Sequence, residues 1–137
     1  MAAKRVPKPT PDTLPFWEAA KEGRLHIPRC RNCGPFFYPR SHCPRCGSAQ
    51  IEWFDASGRA TLYSYVINHV PAAPGFEAEG PYVIAVVQLE EGPRMMANIV
   101  GVPARPEELS LDMPLKVIFE PRGDMALPQF TPAKDPS

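Results

Sequence analysis

Apolar residues alternate with polar ones most regularly in the second half of this chain. Val83, Ala85, Val87 and Leu89 occupy every second position, which predicts a strand over 82–89 with one buried face. The turn residues Glu91-Gly92-Pro93-Arg94 follow, and an apolar run over 95–100 returns, so the pair reads as a hairpin. Residues 60–70 are rich in aromatic and β-branched side chains and predict a long strand. Residues 115–120 and 126–130 predict two more, the last at a sheet edge because Pro128 lacks a donor. Residues 106–109 suggest a short helical turn, and 71–80 a proline- and glycine-rich loop. Five strands with a helical turn before the fourth suit a small Greek-key barrel of the OB type, with an open sandwich as the alternative.

The first half is patterned differently. Residues 1–11 are basic and broken by proline, an extended arm. Asp12 or Thr13 can cap a helix that starts near Leu14-Pro15 and stops at Gly23. Phe16, Trp17, Ala19 and Ala20 give it an apolar face, too short to persist undocked. That face either packs on its own chain or anchors a partner. Short strands are predicted over 24–29, 36–38 and 50–54, as a three-stranded ribbon. The organisation expected is thus a mainly β chain: arm and helix over 1–23, ribbon over 24–56, barrel over 57–131 and a disordered tail over 132–137.

Composition narrows the class. At 137 residues the chain makes one or two small domains, and 44% hydrophobic content suffices for a core. No apolar run of about 18 residues exists, so no membrane span is expected, and without a targeting segment the default location is the cytoplasm. Nineteen prolines favour short strands and ordered loops over long helices. The zero net charge is split: residues 1–50 carry nine Lys/Arg against three Asp/Glu, and residues 51–137 carry six against twelve. An acidic barrel half argues against general nucleic-acid binding.

All four cysteines lie in two Cys-x-x-Cys-Gly knuckles, Cys30/Cys33 and Cys43/Cys46. Two knuckles supply the four converging ligands of a tetrahedral ion, and Zn²⁺ is the first reading. Iron takes the same ligands, and two disulfides would suit a secreted chain. His26 and His42 are not needed as ligands. A filled Cys₄ site keeps no open position for water, so the metal reads as structural. No nucleophile elbow, phosphate loop or dinucleotide fingerprint appears, and no catalytic residue is assigned. Glu77, Glu79, Glu90 and Glu91 read as solvated turn carboxylates, and His69 as a strand-end surface residue. Arg29, Arg31, Arg40 and Arg45 surround the knuckles, either offsetting thiolate charge or forming a cationic patch.

The order Phe16-Trp17-Glu18, Gly23-Arg24-Leu25, Cys30-x-x-Cys33-Gly34, Tyr38-Pro39-Arg40, Cys43-Pro44-x-Cys46-Gly47-Ser48, then a barrel from near Gly58, resembles a known family. It is the family with a rubredoxin-like zinc ribbon followed by an OB-fold, long described as a domain of unknown function and associated with acyl-CoA metabolism. The resemblance covers roughly residues 13–131. It implies a non-catalytic accessory subunit of a thiolase-fold acyl-CoA enzyme (acyltransferase, thiolase or retro-aldolase), or sometimes of an acyl-CoA hydratase. Such a subunit stabilises its partner and shapes or bridges an acyl-CoA channel, in a hetero-oligomer. Cys30, Cys33, Cys43 and Cys46 match the metal ligands. Tyr38 and Arg40 match positions that would touch coenzyme A or the partner, and Phe16 and Trp17 positions that would touch the partner. Two rival readings are a nucleic-acid-binding ribbon/OB module and a small stand-alone acyl-CoA hydrolase or transferase using His69 or loop carboxylates.

Overall fold

A computed structural model describes residues 8–40, 42–69 and 81–133. Its elements run α1 (Leu14–Lys21), β1 (His26–Cys30), β2 (Ile51–Asp55), β3 (Arg59–Asn68), β4 (Tyr82–Leu89), β5 (Arg94–Ile99), a 3₁₀ turn (Pro106–Glu108), β6 (Pro114–Arg122) and β7 (Met125–Pro132). β1 and β2 form a two-stranded antiparallel sheet, and β3-β4-β5-β7-β6 close into a barrel of the OB type. Among the described residues no helix is long and apolar enough to cross a membrane.

The alternation forecast for β4 is realised, with Val83, Ala85, Val87 and Leu89 all buried. β3 carries a bulge between Leu62 and Ser64, so Tyr63 is left outside the β4 register. The predicted third ribbon strand shrinks to a single bridge, Arg29↔Phe36. Pro35 and Pro39 flank it and offer no backbone donors to extend a ladder. β7 is not an edge strand: it sits between β5 and β6. Its pairing with β5 is nevertheless a single parallel step, Ile99↔Phe130. Pro128 therefore lies where no β5 ladder is present to be interrupted. β7 runs on through Pro132, and the Ala133 N–H donates to the Pro114 carbonyl, so this part of the expected tail belongs to the barrel. The predicted loop over 71–80 and residues 134–137 lie outside the described residues, as does most of the arm.

Thr13 is the residue before α1, but its side chain makes no cap bond to the helix. Its hydroxyl accepts instead from the Thr10 N–H, which folds the approach to the helix back on itself. At the other end Gly23, at φ +78°, passes its N–H to Ala20, while the Arg24 N–H reaches Ala19. This paired closure satisfies the last helical carbonyls, and glycine takes the left-handed conformation without a Cβ penalty.

One apolar core joins the pieces. Phe16 from α1 and Leu25 and Ile27 around β1 pack in one cluster with Leu62, Val87, Leu115 and Phe130 of the barrel. Phe16 is 3% exposed. A second, small cluster holds Cys30, Phe37 and Cys43, with Ile51 against it. Outside the core, Asp55 of β2 accepts from Arg24 Nη1 at 2.7 Å and lies 2.9 Å from His26 Nδ1, and Arg24 also pairs with Glu22. This exposed group links the end of α1 to both ribbon strands.

Two stability effects follow. Phe16→Ala removes the side chain that commits an eight-residue helix to the core, and should cost about 3 kcal/mol in urea unfolding. The hydrogen bond from His26, then Arg24, holds the Asp55 carboxyl below its usual range. A depressed carboxyl pKa stabilises the fold above about pH 4 and ceases to do so as pH falls through the folded value. The gap in melting temperature between wild type and Asp55→Asn should be small at pH 6, since the group is exposed, and vanish by about pH 2.

Candidate metal centre and adjoining cleft

The two knuckles are built alike. In each, the first cysteine's carbonyl accepts from the glycine four residues on: Gly34 to Cys30 at 3.0 Å and Gly47 to Cys43 at 2.9 Å. Both glycines have positive φ, 101° and 77°, which lets the chain turn beneath the sulfurs. Backbone N–H groups point at the sulfurs themselves, Cys33 to Cys30 Sγ at 3.3 Å and Arg45 to Cys43 Sγ at 3.4 Å. Asn32 Nδ2 approaches Cys46 Sγ at 3.7 Å.

All four Sγ atoms lie within 4.8 Å of one another. The closest pairs are Cys30–Cys46 at 3.6 Å and Cys33–Cys43 at 3.5 Å, each joining one knuckle to the other. A disulfide needs about 2.05 Å, and the thiols are unbridged. A tetrahedron with metal–sulfur bonds of about 2.3 Å has sulfur–sulfur edges of about 3.8 Å. The observed spacing therefore fits one four-coordinate ion, and the donor set is all sulfur.

The electrostatics favour a cation. N–H donation from Cys33, opposed by burial, brings the Cys30 thiol down to about 6. Burial raises the Cys43 thiol, but the N–H groups of Cys46 and Arg45 outweigh it and leave it lowered. Burial, then the neighbouring Cys43 sulfur, pushes Cys33 up to about 12. Successive thiolates so close together repel one another, and a divalent cation removes that opposition. Around the knuckles, Arg31 is paired with Glu52 at 2.7 Å and Arg29 donates to the Gly34 carbonyl at 2.7 Å while lying over Phe36. These two brace the ribbon.

The other residues singled out in the sequence fall into two groups. Phe16, Trp17 and Tyr38 come together: Phe16 meets Trp17 edge-on at 4.9 Å and Tyr38 at 6.2 Å between ring centroids. All three line a cleft of about 160 Å³ where helix, ribbon and barrel meet. Phe16 forms its floor and is committed to the core, whereas Tyr38 is 45% exposed. The far wall comes from Met96 of β5 and Leu127, Pro128 and Gln129 of β7, of which the sequence marks Pro128 alone, and that as the sign of an edge strand. A proline inside a predicted strand was the available signal. Arg40 is exposed and does not line this cleft. His69 is exposed, whereas Glu90 is bound to Arg59 and Ser57 and Glu91 to the Ser57 N–H. Those two carboxylates pin the ribbon–barrel junction. Glu77 and Glu79 lie outside the described residues.

Comparison with known proteins gives a consistent result. A model of the ChsH2 rubredoxin-like zinc ribbon domain matches residues 17–52, and a model of the ChsH2 C-terminal OB-fold domain matches residues 53–120. A probable enoyl-CoA hydratase alpha subunit of Thermomonospora curvata is 40% identical over 121 residues, covering 86% of this chain but 37% of that protein. The chain thus spans little more than a third of that relative's length. The benzoylsuccinyl-CoA thiolase subunit BbsA of Geobacter metallireducens is 31% identical over 94 residues, or 66% of this chain and 60% of the relative. The solved structure of an Ltp2-ChsH2(DUF35) aldolase has a chain that superposes with a TM-score of 0.80 at 36% identity, covering 93% of this chain and 98% of that one.

Since the second cluster holds Cys30, Phe37 and Cys43 apart from the main core, metal loss should act locally. Chelation, or Cys46→Ser, should abolish slow hydrogen exchange across residues 30–50 while β4 and β6 keep theirs. Elemental analysis should find one metal ion per chain before treatment and none after.

Proposed function

This chain belongs to the ChsH2 family, in which a rubredoxin-like zinc ribbon precedes an OB-fold domain, and we propose that it is a non-catalytic accessory subunit of an acyl-CoA enzyme. The partner is a thiolase-fold enzyme, and the ion in the ribbon is a structural zinc held by Cys30, Cys33, Cys43 and Cys46. The assembly works in the cytoplasm. The similar proteins named above are a hydratase subunit, a thiolase subunit and an aldolase, which supports a role in a larger assembly.

The observation that carries this reading is the cleft at the helix–ribbon–barrel junction. Trp17 and Tyr38 stand at its rim, and aromatic residues of this kind form the anchors of protein interfaces. At about 160 Å³ it is smaller than the roughly 300 Å³ of small-molecule pockets, so it suits a side chain of a partner better than an acyl group held by this chain alone. Tyr38 and Arg40, both exposed, would face an acyl-CoA site shared with the partner. A catalytic role finds little support. The thiols converge on one another as a ligand set, and a thiol nucleophile would instead stand against a base.

Co-expression with a thiolase-type acyl-CoA enzyme of the same organism tests the reading. A stable complex should form, with turnover that falls when this chain is omitted. Trp17→Ala with Tyr38→Ala should weaken the complex at least about tenfold, roughly 1.4 kcal/mol or more. A partner that is soluble, fully active and indifferent to this chain would refute it.

A further inference from the structure

The barrel is closed on paper but not zipped. β5 and β7 pair at Ile99↔Phe130 only, and the Val100 N–H donates to the Phe130 carbonyl at 2.8 Å. On the other side, the Leu89 N–H of β4 reaches the Pro93 carbonyl at 2.9 Å. Backbone groups of successive strand residues point to opposite sides. Odd-numbered residues of β5 therefore face β4, and Arg94, Met96 and Asn98 face β7 across an open seam. The next parallel rung would need an N–H from Pro128 for the Met96 carbonyl, and proline has none. The ladder stops there for a chemical reason.

A groove follows the seam. The cleft beside Trp17 and a second recess of about 220 Å³ share two residues, Asn98 and Gln129, one from each strand. Gln129 is 7% exposed, the one buried polar side chain among the described residues. Its amide nitrogen donates to Glu120 Oε2 at 2.6 Å, which holds the side chain in the wall of both recesses. Glu120 is in turn held by Arg122 Nη2 at 2.8 Å, so the Gln129 amide is fixed from behind. The groove thus runs along a strand edge whose Met96 N–H and carbonyl have no partner in β7, and its complement is another extended backbone with both donors and acceptors.

We propose that the open seam receives an extended polypeptide segment of the partner enzyme, added as a strand along β5 at Met96. A polypeptide repeats its N–H and C=O every second residue, in step with Arg94 and Met96, and sends alternate side chains toward Trp17 and Tyr38. The inference rests on the accessory-subunit reading and specifies how the partner is held. Pro128 has a positioning role: it keeps β7 from occupying the edge.

Amide exchange followed by NMR on the co-expressed complex, with this chain labelled, tests it. The Met96 amide should exchange fast in the free chain and at least about a hundredfold more slowly in the complex. Met95 and Ala97, whose N–H groups face β4, should be protected in both. Pro128→Ala supplies the missing donor and should weaken the complex about tenfold without lowering the melting temperature. A Met96 amide already slow in the free chain, or still fast in a complex that forms, overturns the seam proposal and leaves the accessory role standing. Protection produced by coenzyme A alone, without the partner, also overturns it in favour of a pantetheine arm. Failure of any complex to form removes both readings.

Discussion

A ribbon of some thirty residues cannot bury enough apolar surface to hold itself together, and the rest of this structure answers that shortage. One answer is the sulfur cluster, where four thiols meet within 4.8 Å and satisfy one another only around a cation. The other is the sharing of a core, with Leu25, Ile27 and Phe16 placed among barrel residues. The two act at opposite ends of the ribbon. The metal end is governed by charge and the barrel end by burial, so they respond to different conditions.

The sharing of the core also positions the surface. Because Phe16 is drawn inward, Trp17 beside it is turned to the junction, where it meets the insert carrying Tyr38. Tyr38 is placed in turn by Phe37, which packs against Cys30 and Cys43. The cleft rim therefore depends on both anchors. A structural metal can influence a docking surface in this way without touching any ligand.

The elements whose pattern is local were legible in the sequence. The buried face of β4, the two knuckles and the helix closure at Gly23 each depend on residues a few positions apart. What depends on distant partners was not. The third ribbon strand was forecast from Phe36-Phe37-Tyr38, yet flanking prolines reduce it to a bridge. Pro128 was read as a mark of an edge strand, and the strand proved to be enclosed by two others. The chemical part of that reading survives, because the missing donor does leave an unpaired margin, but on β5 instead of at the end of the sheet. The cleft itself could not be found beforehand: its walls come from residues 16–17, 38, 95–98 and 127–129, and only the closed topology brings them together.

The packing of α1 on β7 has a consequence in time. α1 (Leu14–Lys21) leaves the ribosome well before β7 (Met125–Pro132), the strand it rests on. At roughly 5–20 residues per second, synthesis separates the two by several seconds. During that interval the knuckles can already gather a metal ion, since every ligand has emerged by Cys46. Phe16 has no finished barrel to enter. The knuckles can thus close on an ion before α1 has its seat, and the aromatic helix stays open to chaperones, or to a partner, until β7 arrives.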